Sequence, residues 1–224
     1  MSSVQVITPG LFTTVQDLGR KGWQRFGVPV AGVFDSLAAQ VANWLVGNRN
    51  GDALLEITYS GPTLTTDTPL QVAITGGQLT ATLAGQPVPL WQSFVWQPGQ
   101  ELCLGGLTAG ARAYLAVQGG WQVPVVMGSR STYVRAAIGG LEGRQLKAGD
   151  QLPVQAGDVS APRRSLPRAF WPKLGGEITL RFVPGPQTDY FAPDALEQLC
   201  ANTYRISQSS DRMGIRLEGS AIVP

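Results

Sequence analysis

Short runs with strand character recur along the first two thirds of the chain, and most of them stop at a glycine or a proline. VQVI (4–7), LLEIT (54–58), LQVAIT (70–75), QLTATL (78–83), FVW (94–96), ELCLG (101–105), RAYLAV (112–117) and QLPVQ (151–155) are rich in β-branched and aromatic residues. This spacing suits an antiparallel barrel or sandwich and not a series of βαβ units. The 28 glycines and 16 prolines among 224 residues supply the many turns that such a fold needs. Apolar residues make up 43% of the chain, enough for a packed core.

One helix interrupts the pattern, near residues 35–47. In FDSLAAQVANWLVGN, Leu37, Val41, Trp44 and Leu45 recur at helical spacing, Asp35 or Ser36 can cap the start, and Gly47–Asn48 can close the end. A weaker helix is expected in PDALEQLCANTY. The domains expected are a first β-barrel over 1–160, a Pro- and Arg-rich connector over 161–176, and the start of a second barrel over 177–224. That restart rests on a short echo: ITLRFVPGPQTDYF follows the order of VQVITPGLFTTVQD, a strand, then Pro-Gly, then a Thr/Gln/Asp turn.

Charge and composition narrow the function. The net charge is +2, and no basic run exceeds Arg163–Arg164, so nucleic acid is not an expected partner. Fourteen of the 17 basic residues are arginine, the side chain for forked recognition of carboxylate or phosphate. Histidine is absent, which removes histidine bases, histidine triads and most zinc sites. Cys103 and Cys200 are far apart in apolar settings and read as buried free thiols in a reducing compartment. The start of the chain lacks the features of a signal peptide, and no apolar run reaches membrane-spanning length, so a cytoplasmic protein is expected.

There is no GxxxxGK[ST] phosphate loop, no GxGxxG fingerprint, no GxSxG elbow and no Met-Lys-Met biotin attachment segment. Chemistry must come from four other stretches. TTVQDLGRKGWQRFGVPVAGVFDS (13–36) sets Gln16, Asp17, Arg20 and Asp35 among glycines and prolines. Such breakers let backbone amides approach a ligand closely. Asp35 can equally cap the helix, and Arg20 can pair with Asp17. LLEITYSGPTL (54–64) puts Glu56 within an apolar strand, where a carboxylate needs a cation or a chemical role. RSTYVRAAIGGLEGR (130–144) gathers Arg130, Ser131, Arg135 and Arg144 with hydroxyls and a Gly-Gly pair. That composition suits an oxyanion site, or a solvated loop with surface arginines. SSDRMGIRLEG (209–219) clusters Asp211, Arg212 and Arg216 around Gly214.

Together with ANWLVGN, ITGG, RAYLAVQGG, LKAGD and VPGPQTDYF, these stretches resemble the allophanate hydrolase subunit 2 family, also called the biotin-dependent carboxyltransferase family. The matches run in the family's order over almost the whole chain. The resemblance implies a mainly β fold of cyclophilin-like barrels with a few short helices. It also implies the C subunit of an ATP-dependent 5-oxoprolinase, which hydrolyses 5-oxo-L-proline to glutamate together with its KipI-like B subunit and its A subunit. ATP, with magnesium, is the cofactor implied, bound jointly with those partners. Two other roles are compatible with it: a KipA-like regulator that relieves inhibition of a kinase, and the carboxyltransferase component of a urea carboxylase-type enzyme. Family members run well past the RMG-[hydrophobic]-R-L motif, so the second barrel is expected to be incomplete and the chain inactive alone. In such an enzyme Asp35 and Glu56 are the candidates to orient a nucleophile or transfer a proton. Arg20, Arg130, Ser131, Arg135, Arg144, Asp211, Arg212 and Arg216 are the candidates to hold anions.

Overall fold

In a computed structural model, residues 2–155, 159–210 and 214–222 are described. The chain divides into two compact units, Met1–Gly175 and Gly176–Pro224.

The first unit is a curled antiparallel sheet of nine strands: β1 (Ser3–Thr8), β2 (Phe12–Gln16), β3 (Leu54–Thr58), β4 (Thr63–Thr66), β5 (Leu70–Leu83), β6 (Gln86–Pro87), β7 (Ser93–Trp96), β8 (Glu101–Val117) and β9 (Gln151–Pro153). The fold is mainly β and consistent with a cyclophilin-like barrel. β8 organises it. One edge of β8 pairs with β5 from Leu102 to Val117, while its other edge takes β4 at residues 101–103 and β3 at residues 112–115. β2 extends the β3 side, and β1 and then β9 extend the β4 side.

Two expected turns are bends inside long strands. LQVAIT and QLTATL are one strand, and ELCLG and RAYLAV are another. Glycine in a strand marks a bulge or a close backbone approach as readily as a turn. Here the register of β5 on β8 shifts between Gly76 and Gln78, and Gly76 has φ +89°. A Cβ on Gly77 would meet Leu107 Cδ2 at 2.5 Å. β2, β4 and β6 carry too little apolar alternation to stand out in the sequence, yet their ladders form.

α1 (Ser36–Leu45) crosses the sheet against β5 and β8. Its inward face keeps only part of the expected row of Leu37, Val41, Trp44 and Leu45: Leu45 is buried and Val41 packs partly on the core. Ala38, Ala39, Ala42, Asn43 and Leu45 are buried, whereas Leu37 is 71% and Trp44 46% exposed. The cause is close approach: small side chains let the helix backbone reach the sheet, and Thr75 Oγ1 donates to the Ala38 carbonyl at 2.8 Å. Val4, Leu55, Ile74, Trp96, Leu102, Leu115 and Trp121 anchor the core beneath. The connector stretch packs on this unit: Ser165 bridges Gln92, Leu166 donates its amide to Trp91, and the Trp171 ring lies 6.0 Å from that of Trp91.

The second unit holds α2 (Ala195–Ala201) and the hairpin of β10 (Arg205–Ile206) with β11 (Leu217–Glu218). Ile178–Val183, the echo of β1, forms no strand, because no ladder partner lies beside it among the described residues. Cys103 is partly buried, but Cys200 is exposed on α2, contrary to the buried thiol expected. No helix among the described residues is long and apolar enough to cross a membrane.

Candidate functional site

β2 ends at Gln16, and the chain then leaves the sheet as a long loop that returns at α1. Asp17, the first loop residue, is the hub of the site. Its Oδ1 accepts from the Ser129 hydroxyl (2.6 Å), the Ser131 hydroxyl (2.6 Å) and the Gly19 amide (2.7 Å). Its Oδ2 accepts from the Arg130 amide (2.5 Å), and the Asp17 amide donates back to Ser131 Oγ (2.9 Å). Charge-assisted bonds of this kind are the strong ones. They tie the segment 129–131 to the end of β2. Gln16 Nε2 and the Thr132 hydroxyl continue the seam, donating to the Thr132 and Val15 carbonyls respectively.

The arginines have different fates. Arg20 is only 1% exposed, and one Nη donates to the Ser131 carbonyl. Its Nε and other Nη have no partner among the described residues. Burial lowers its pKa, with the Asp17 charge opposing. Arg20, a candidate to hold an anion, therefore braces the same segment from beneath, and it makes no ion pair with Asp17. Gly139 closes over it with φ +67°, and a Cβ there would strike the Ser131 carbonyl at 2.2 Å. Arg130 is half-buried: Nε donates to the Val123 carbonyl (2.8 Å) and Nη2 to Gln122 Oε1 (3.4 Å). Its Nη1 has no protein partner among the described residues.

Arg144, expected to hold an anion, is engaged by carboxylates of its own loop. Its fork is filled by Asp150 through two bonds of 2.7 and 2.9 Å, and by Glu142 through bonds of 3.0 and 2.7 Å. The Asp150 bonds, first among several causes, raise the Arg144 pKa, and Arg144 in turn lowers that of Asp150. Arg135 lies exposed in a 3-10 turn, Val134–Ala136.

Glu56 and Tyr114 are directly opposed on β3 and β8. Glu56 is buried, and its Oε2 accepts from the Phe34 amide (2.7 Å) and the Tyr114 hydroxyl (3.1 Å). Its Oε1 lies 3.7 Å from Arg112 Nε, and the Arg112 guanidinium sits 5.2 Å from the centre of the Phe34 ring. Burial, then the Glu56 charge, pushes the Tyr114 phenol well above its usual range. The Tyr114 oxygen accepts from the Asp35 amide (2.7 Å), while Asp35 Oδ1 caps α1 by accepting from the Ala38 amide (3.0 Å). Glu56 thus holds the entry to α1, with Asp35 exposed at its tip.

Ser131 and Arg130 are brought together with Asp17 and Arg20. Asp35 and Glu56 meet in the Tyr114 network. In the second unit, Arg216 is exposed, and its backbone bonds Ser207 and Ser210. Asp211 and Arg212 lie outside the described residues. Among the described residues no group of three or more His, Cys, Asp or Glu is placed to hold a metal. Tyr114 is not singled out by the sequence, and Asp17 and Ser129 stand there only as polar neighbours of Arg20 and Arg130, with no site role. The repeat of hydroxyls around Arg130 in SRS is the available signal for Ser129, and Asp17 carries none beyond its place in a glycine-rich loop.

A family model described as the carboxyltransferase domain, subdomain A and B, matches residues 26–224. Urea amidolyase of Saccharomyces cerevisiae is 33% identical over 227 residues, 97% of this chain. The chain spans only 12% of that protein's length. The 5-oxoprolinase C subunit of Escherichia coli is 37% identical over 220 residues, which are 98% of this chain and 69% of that protein. Among solved structures, the K. lactis urea amidolyase matches with a TM-score of 0.88 at 33% identity, over 99% of this chain and 14% of that one.

Proposed function

The chain belongs to the family of carboxyltransferase domains, subdomains A and B, and on that footing we propose that it serves as the C-type component of an ATP-dependent 5-oxoprolinase. It works beside partners of the A and B kinds in the cytoplasm. The observation that supports this reading most is the Asp17 clamp, which fixes Arg130 by its backbone and leaves a guanidinium nitrogen for an anion. It does so in a chain similar along nearly its whole length to a 5-oxoprolinase C subunit. ATP, when bound with magnesium in the assembled enzyme, supplies the phosphoryl group that activates the lactam. Within this chain Arg130 receives a carboxylate or phosphate oxygen, and Ser131 keeps Arg130 in register through Asp17. Asp35, exposed where α1 begins, orients a nucleophile. Glu56 acts as a positioning group, holding the Phe34–Asp35 turn through its amide and through Tyr114.

The test is 5-oxoproline-dependent ADP release by the chain assembled with its A- and B-type partners. Arg130→Ala is expected to lower kcat/KM by a factor equivalent to about 1.5–3 kcal/mol, the worth of a charge-assisted contact. Unchanged turnover in that variant would falsify the role given to Arg130. The similarity to urea amidolyases favours a second reading, carboxyl transfer to urea from biotin carried on another chain. Urea-dependent transfer from carboxybiotin, without ADP release on 5-oxoproline, would establish it instead.

A further inference from the structure

We propose that the outward stripe of α1 is a contact between two copies of this chain, their helices antiparallel across a two-fold axis. The ten residues of α1 include no charged side chain. A solvent-facing helix ordinarily carries charge on its outer side. Here that side presents Leu37 and Trp44, both exposed, with Val41 between them half-buried against the core, and Phe34, 55% exposed, extends the row beyond the helix start. The inner face is already spent on the sheet through Ala38, Ala42 and Leu45.

Charge selects the occupant and its direction. Asp35 is exposed at the N-terminal end. At the C-terminal end, Arg164 donates Nη1 to the Trp44 carbonyl (2.6 Å), and its guanidinium lies 5.5 Å from the centre of the Trp44 ring. Arg164 has no carboxylate partner among the described residues, and Arg163 stands exposed beside it. A parallel pairing would set Asp35 against Asp35 and Arg164 against Arg164. The antiparallel pairing sets each Asp35 against the other copy's Arg164 and opposes the helix dipoles favourably. It also lays Leu37 of one copy on Trp44 of the other, with the two Val41 side chains meeting near the axis, a self-complementary patch of the two-fold kind. The face is small, so association is a concentration-dependent equilibrium and not a permanent dimer.

Sedimentation velocity of the full chain across a concentration series tests this. Wild type is expected to dimerise reversibly. Leu37→Glu, at an exposed position that leaves the fold intact, should weaken the dimer at least about tenfold, as removal of an interface anchor does. Arg164→Glu should weaken it too. In a Cys200→Ser background, Val41→Cys should form an inter-chain disulfide on mild oxidation, whereas Leu11→Cys, elsewhere on the surface, should not. A monomer at every concentration overturns the proposal. So does a dimer indifferent to Leu37→Glu and Arg164→Glu, the result expected if copies join through the exposed apolar side chains of residues 178–183.

Discussion

Asp17 carries more of the candidate site than any arginine does. Four donors converge on one carboxylate, so Asp17→Asn replaces an acceptor oxygen with a donor that faces other donors. The variant is expected to lose about 1–3 kcal/mol of stability in urea unfolding. Retained stability would show that the hydroxyls simply rotate away. Arg144 and Asp150 make a second residue-scale case. The Asp150 pKa is depressed in the fold, so the pair stabilises at neutral pH, and that contribution disappears as pH falls through the depressed value, below the ordinary carboxylate range near ~3.9. Asp150→Asn should lower the melting temperature at pH 7 and flatten the acid limb of the stability profile. At this scale the sequence is half legible. An arginine-rich, hydroxyl-rich loop is visible in residues 130–144. Which arginine stays open is not, since Glu142 and Asp150 reach Arg144 by geometry that spacing along the chain does not specify.

For whole elements, the position of α1 is readable and its orientation is not. The 3.6-residue period identifies a helix whatever it faces, and of the apolar row Leu37 and Trp44 turn outward while Leu45 is buried and Val41 packs partly on the core. Alanines fill positions 38, 39 and 42 because there the helix backbone lies close against the sheet, while Leu45 finds room at the helix end. Ala42→Leu, at a fully buried position, is expected to cost about 1–3 kcal/mol by overpacking against β5 and β8, measured by thermal or chemical unfolding. A neutral result would mean that the helix can lift off the sheet freely. β5 and β8 teach the same lesson about glycine. Gly76, Gly77, Gly105 and Gly106 look like turns one residue at a time, yet each pair lies inside one strand, where the β5–β8 register shifts. Only the partner strand decides between a turn and a bulge.

At the scale of the molecule, burial is unequal. The apolar core cluster is drawn from residues between Val4 and Val154, while Ala195 is the one apolar residue of the second unit counted as buried among those described. A chain of residues 1–175 is therefore expected to fold alone, with a cooperative melt and a far-UV spectrum of β type. An unfolded 1–175 would mean that residues 176–224 contribute stability to the first unit. The mainly β class is legible from local composition because most ladder strands satisfy their own propensity, and the second unit is hardest to read because its strand-like stretch 178–183 finds no ladder there. The position of β8 also bears on how the chain emerges from a ribosome. β1 can pair with β4, and β2 with β3, before Glu101 is made, but the inner edges of β3 and β4 have no partner until β8 is available, and the outer edge of β1 waits for β9 at residue 151. For most of synthesis the nascent chain thus exposes unsatisfied backbone that other nascent chains can capture, so holdase chaperones and the pace of translation over residues 101–153 will govern its yield.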